Sequence, residues 1–257
     1  AGSGKTVVLS NWLAKTAKRM AGQPDARIWA VYANRSLHKL LRESIEGAWK
    51  GAGNIFEFPW QNVSLMHVKD VLAGLLPSVS LSMDAFEFEY DRAAEEFLNR
   101  QEEAAILPRC QALFIDEAQD MGPNTLRLLL SLVEQSNQED RNSRSAHIFF
   151  DNAQNIYGRK TPKWSEFGLD MRGRSTIMRE SFRSTQPITE LAVNLLHRLS
   201  PESDLHDHKE LISLGLIERT ERGGEEWLRV RFNQVQGPKP FLQKFESRDE
   251  EMTALGK

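Results

Sequence analysis

Two short runs of residues carry chemistry that helix or strand propensity does not explain. The first is Gly2-Ser3-Gly4-Lys5-Thr6, the closing half of the pattern G-x-x-x-x-G-K-[ST]. Glycines in such a loop let successive backbone N–H groups converge on phosphate oxygens at a helix N-terminus. Lys5 then reaches the β- and γ-phosphates of a nucleotide, and the Thr6 hydroxyl reaches Mg²⁺. A Gly-Ser-Gly string also reads as a flexible linker, so this run gains its meaning from the second one. That is Leu113 to Asp120 (LFIDEAQD), an apolar stretch ending in adjacent carboxylates. At a strand end neighbouring side chains project differently, so Asp116 can serve a Mg²⁺ shell while Glu117 faces a water beyond the γ-phosphate. Together the two runs predict ATP and Mg²⁺ as ligands and hydrolysis as the reaction.

Two further runs repeat the theme. Phe149 to Gly158 (FFDNAQNIYG) places polar groups just after a strand, and the Gln154 amide can sense a γ-phosphate or its attacking water. In Glu180 to Ser184 (ESFRS), Arg183 can neutralise charge in a transition state and Phe182 can stack on a base.

Short apolar strands alternating with helices position these groups. A helix pattern covers Val7–Met20, a β-rich run Ile28–Ala33, a second helix Ser36–Trp49, and a strand Asn62–Val68. Gln111–Ile115 and His147–Phe150 read as buried strands, with a leucine-rich helix over Asn124–Val133 between them. This alternation predicts an α/β fold with a parallel sheet covered on both faces. Asp84–Phe97, with six acids against one arginine, reads as an inserted flap or as a solvated face with aromatics in a small core. Pro201–His208 reads as a polar linker whose His206, His208, Asp204 and Asp207 are solvated rather than metal ligands. Ser213–Glu218 and Trp227–Phe232 flank Arg222-Gly-Gly-Glu225 as a hairpin, followed by a strand over Pro240–Phe245 and a helix opened by Ser247 and Glu250 at capping-box spacing.

Composition limits the remaining classes. The 257 residues are 40% apolar and 27% charged with a net charge of −3, the profile of a folded domain rather than a disordered, collagenous or strongly basic one. One cysteine, Cys110, excludes an intrachain disulfide and points to a reducing, cytoplasmic compartment. No apolar run approaches the roughly 18 residues of a membrane helix.

In order, AGSGKT, VYANRSL, NVSLMHV, LFIDEAQD, FFDNAQNIYG and RESFRST resemble the successive motifs of UvrD/Rep-like superfamily-one helicases, over residues 1 to about 185. The resemblance implies a RecA-like P-loop NTPase fold and an ATP-driven motor on single-stranded DNA, with RNA as an alternative track. It implies that Gly2, Ser3, Gly4, Lys5 and Thr6 form the phosphate loop, that Thr6 and Asp116 hold Mg²⁺, and that Glu117 activates water. Gln154 then resembles the γ-phosphate glutamine and Arg183 an arginine finger. Phe182 stands where the family usually has an adenine-packing tyrosine. Tyr32 and Asn34 resemble residues that meet the DNA strand, and Tyr157 lies in a region that couples ATP to DNA; Tyr32 reads equally well as a buried strand residue. The implied organisation is a first RecA-like domain over 1–174, with an insertion at about 70–108. The start of a second domain follows over 175–257, with a linker and hairpin at about 200–236. The family's strand before the loop and its later motifs are not found, so this chain is expected to bind nucleotide weakly and not to unwind DNA. A nucleotide-dependent interaction switch is the alternative function.

Overall fold

The computed structural model describes residues 4–104, 106–135, 144–151, 164–167, 169, 173–176, 184–199, 211–231, 233 and 235–255. The chain divides into two compact units, Ser3–Met178 and Arg179–Lys257.

The first unit is α/β. Strands β1 (Ile28–Tyr32), β2 (Val63–His67), β3 (Ala112–Asp116) and β4 (Ser145–Ile148) form one sheet in the order β2-β1-β3-β4, and every pairing is parallel. All five residues of β1 and all five of β3 are buried, which explains why these strands read as unbroken apolar runs. Their side chains alternate between two cores. Trp29, Val31, Leu113 and Ile115 point to one face. Ile28, Ala30, Tyr32, Ala112 and Phe114 point to the other.

That second face is covered by α1 (Lys5–Met20), through Leu9, Leu13, Ala14 and Ala17, and by α2 (His38–Gly51), through Leu41, Ile45 and Trp49. The apolar residues recur at three- and four-residue spacing, and a Ser10–Ser44 hydroxyl pair at 2.9 Å satisfies the polar groups between the helices. On the first face lie α3 (Val68–Leu75), α4 (Tyr90–Arg100) and α5 (Pro123–Ser131).

The segment expected to form an inserted flap belongs to this layer. Phe86, Ala93, Ala94 and Phe97 share one core with Leu113 and Ile115 of the sheet. Only Phe88 of the alternating aromatics stays out, 73% exposed. Asp91 of α4 also caps α5, accepting from the Thr125 N–H at 2.8 Å and its hydroxyl at 3.1 Å. The carboxylate lies so close to the chain that a Cβ on Gly122 would sit 2.2 Å from its carbon.

Several boundaries differ from expectation, among them the hairpin strands, which run Ile217–Arg222 and Glu225–Val230 rather than Ser213–Glu218 and Trp227–Phe232. β4 covers Ser145–Ile148 rather than His147–Phe150, because β3 pairs with it only as far as Ile115↔Ile148. β2 gives way to α3 at Val68 without a turn, His67 supplying the cap as its Nδ1 accepts the Lys69 N–H at 3.1 Å.

In the second unit a hairpin of β5 (Ile217–Arg222) and β6 (Glu225–Val230) turns on Gly223 and Gly224, both at positive φ, so the strands run right up to the two glycines. α6 (Gln186–Leu199) docks on β6 through Asn194, whose amide both donates to the Leu228 carbonyl and accepts its N–H at 2.8 Å. The expected strand Pro240–Phe245 is irregular. Pro238 and Pro240 have no N–H to give a ladder, and Phe241 and Leu242 lie exposed. α7 (Arg248–Leu255) follows, with the Glu250 N–H on the Ser247 hydroxyl at 3.3 Å. Among the described residues no helix is long and apolar enough to cross a membrane.

Because Phe97 and Phe114 sit fully buried on opposite faces of one sheet, Phe97→Ala and Phe114→Ala should each cost about 3–5 kcal/mol. Chemical denaturation followed by circular dichroism should show both variants shifting the same transition. A Phe97→Ala variant that left that transition in place would separate the α4 segment from the sheet.

Candidate functional site

Parallel pairing brings the carboxyl ends of the strands to one edge. In register, Tyr32 pairs with both His67 and Asp116, so β2, β1 and β3 end side by side. Ligands of open parallel sheets bind outside this edge.

Asp116 ends β3. By alternation it shares the face of Ala112 and Phe114, the face that α1 covers. It is 3% exposed, and one carboxyl oxygen, Oδ1, has no hydrogen-bond partner. Burial, then the neighbouring Glu117 carboxylate, pushes its pKa up to about 6.

Glu117 leaves the strand in a left-handed conformation, φ 48°, costly for a residue with a Cβ. Its neighbours enforce the turn. The Ala118 N–H donates to the Phe149 carbonyl and the Phe149 N–H to the Ile115 carbonyl, both at 2.9 Å, which ties the end of β3 to the chain leaving β4.

Lys5 enters this edge from the first turn of α1. Gly4 precedes it at φ 87°, a conformation glycine adopts without strain. The Lys5 ammonium lies 3.1 Å from Asp151 Oδ2 and 3.9 Å from Glu117 Oε2. The Lys5, Glu117 and Asp151 side chains are 13%, 23% and 17% exposed, so solvent screens the charges poorly. Gln119 links the Glu117 carboxylate to the Asp151 backbone. Its Nε2 donates to Glu117 Oε2 at 2.6 Å, and its Oε1 accepts the Asp151 N–H at 2.9 Å.

The sequence motifs thus meet in part. Lys5, Asp116 and Glu117 gather at one edge, with Thr6 half-buried in the adjoining helical turn. Gly2, Ser3, Gln154, Tyr157, Phe182 and Arg183 lie outside the described residues, as do Asp204, His206, Asp207 and His208. Gln119 and Asp151 were not singled out by sequence reasoning, although both sit inside motifs it used.

The other end of the edge is built on rings. Tyr32 is 4% exposed and its hydroxyl meets His38 Nδ1 at 2.7 Å, so it is a buried strand residue and not an open stacking surface. Burial, reinforced by Asp70, raises its pKa. His67 donates from Nε2 to the Ala33 carbonyl at 2.7 Å while its Nδ1 caps α3, which fixes one neutral tautomer. Burial lowers its pKa in the same sense. Asn34 is exposed and accepts the Ser36 N–H at 3.0 Å, capping a short turn that carries Arg35.

A divalent cation fits the donors present. Among the described residues no group of three or more His, Cys, Asp or Glu side chains is placed to hold a metal alone. Mg²⁺ beside a nucleotide needs no such cage, because phosphates and waters supply most of its oxygens. The unpartnered Asp116 oxygen is the kind of donor it takes.

No protein-family model matches the chain, and a search of curated proteins finds no match.

Because the pKa of Asp116 is raised in the fold, its ionisation opposes folding. The penalty is absent below the ordinary carboxyl pKa, grows as pH climbs toward about 6, and is constant above that. Asp116→Asn should therefore stabilise the chain by about 1–3 kcal/mol at pH 8 and hardly at all at pH 4. Urea denaturation at the two pH values measures this.

Proposed function

We propose that this chain is the nucleotide-binding part of an ATP-dependent motor of RecA-like architecture that moves along single-stranded DNA. The observation that supports this most is the meeting of Lys5, at the start of a helix, with Asp116 and Glu117, at the end of a central parallel strand. A phosphate-binding lysine and paired carboxylates at one sheet edge are what ATP hydrolysis requires. The order of the motifs along the chain supports the motor.

In this reading Lys5 takes the charge of the terminal phosphates. Thr6 and Asp116 would hold Mg²⁺, which when bound neutralises charge on the phosphate oxygens. Glu117 accepts the proton of the attacking water, and Gln119 fixes that carboxylate in place. Gln154 and Tyr157 keep the roles that the resemblance implies, sensing of the γ-phosphate and coupling of the two ligands. Asn34 and the Arg35 turn face the nucleic acid, and Tyr32 links them to Asp116 through the register of β1 and β3.

Steady-state ATP hydrolysis with and without single-stranded DNA tests the proposal. Turnover should rise with DNA, fall with added salt, and drop by about 10²-fold or more in Glu117→Gln. Equal stimulation by RNA would change the track. Turnover that ignores nucleic acid and follows a protein partner would replace the motor with an interaction switch.

A further inference from the structure

The ring of Phe88 is held out of the fold against the preference of its own backbone. Glu87 and Phe88 follow one another in left-handed conformation, φ 42° and φ 75°, which an aromatic residue adopts only where its surroundings impose it. The turn is closed around them: the Glu89 N–H donates to the Phe86 carbonyl at 2.7 Å, and the Tyr90 N–H to the Phe88 carbonyl at 2.9 Å. Phe86 is buried in the core, while Phe88 is 73% exposed. A glycine at position 88 would make the same turn without strain, so neither packing nor the turn accounts for the ring.

What the ring meets is a cation. The Lys69 ammonium lies over it, 5.2 Å from the centroid. Lys69 sits in the first turn of α3, just after His67 ends β2, and His67 packs edge to face with Tyr32 and with Tyr90, the ring centroids 5.8 Å apart in both pairs. The next residue, Asp70, pairs with Arg35 at 3.0 Å, and Arg35 follows the exposed Asn34. Phe88, Lys69, Arg35 and Asn34 are thus linked step by step along the carboxyl edge of the sheet, at its β2 end. In the order β2-β1-β3-β4 that is two strands, ~10 Å, from the strand that ends in Asp116.

We propose that Phe88 is a stacking platform for one base of single-stranded DNA, with Lys69 and Arg35 taking neighbouring phosphates. The inference rests on reading the chain as one that acts on single-stranded DNA. Exposed Glu87 and Glu89 flank the ring, so the turn itself repels phosphate and what it can hold is the uncharged base. Stacking on an aromatic face is tolerant of sequence, as a track requires, because every base has such a face. The phosphates fall to the cations beside the ring. The Arg35 and Asp70 side chains are 61% and 53% exposed, and an ion pair so placed is worth little and opens readily to a phosphate.

The test is equilibrium binding of two fluorescently labelled oligomers of equal length, an oligothymidylate and a strand whose sugars carry no bases, to the unmodified chain and its variants. Phe88→Gly should bind the oligothymidylate about tenfold more weakly and the base-free strand within about twofold of the unmodified chain. Phe88→Tyr, which keeps a ring, should match the unmodified chain on both. Lys69→Gln should weaken both, and the slope of log affinity against log salt should become shallower by about 0.7. Urea denaturation should find Phe88→Gly at least as stable as the unmodified chain, since glycine relieves the turn; if Phe88→Gly does not fold, Phe88→Asn, which also tolerates this backbone, carries the same expectation. Unchanged oligothymidylate affinity in Phe88→Gly, or equal loss on both oligomers, overturns the inference and leaves the DNA reading standing, as does an unchanged salt slope in Lys69→Gln. If the unmodified chain binds neither oligomer, the DNA reading itself falls and the inference with it.

Discussion

Parallel pairing is the constraint from which the rest follows. Strands that run the same way must end at the same edge, and strands buried on both faces leave no polar side chain in the interior except at those ends. β3 is the extreme case, with Ala112, Leu113, Phe114 and Ile115 fully buried and Asp116 as its last residue. The sheet spends its apolar length on packing and delivers its charge at one place. Helices on the Ile28 face then decide what meets that charge, and α1 brings a lysine.

That meeting leaves the charges unevenly matched. Lys5 faces Asp151 and Glu117, while Asp116 stands beside Glu117 with a raised pKa and an oxygen without a partner. A site optimised for stability alone would not gather acids in this way, since each poorly solvated carboxylate opposes the others. The fold tolerates the arrangement because the surrounding cores are large, with Phe97, Phe114 and a run of buried leucines on the two faces of the sheet. Cys110, by contrast, shows burial used without charge: its thiol pKa is pushed up to about 12, so it packs as an apolar group.

Much of the first unit was legible in the sequence, for reasons that can be stated. β1 and β3 are short apolar runs bounded by polar residues, and α1 and α2 carry a helical period, so both signals are local. The start of α3 was not legible, because sequence rules look for Ser, Thr, Asp or Asn at a cap and here a histidine ring does the capping. The strand expected over Pro240–Phe245 failed because alternation cannot supply a partner. Of the site, Lys5, Thr6, Asp116 and Glu117 could be picked out by type and order. The bridge from Glu117 through Gln119 to Asp151 could not, since it depends on which strand lies beside β3. Tyr32 was ambiguous for a related reason: a tyrosine at a strand end can be buried or can turn out to meet a ligand, and only the packing of His38 against it decides.

The carboxylate of Asp91 bears on how this fold could have been assembled. It belongs to the helix that closes the acidic segment, yet it satisfies backbone and hydroxyl groups at the start of the helix that follows the carboxylate motif, pressed against a position where only glycine fits. The segment is therefore not a detachable module. Exchanging it for another of equal length would uncap α5 and leave Gly122 facing a gap, so a working replacement must bring its own acceptor to the same point. Change at residues 91, 122 and 125 is tied together, and a lineage that alters one of them is steered toward altering the others.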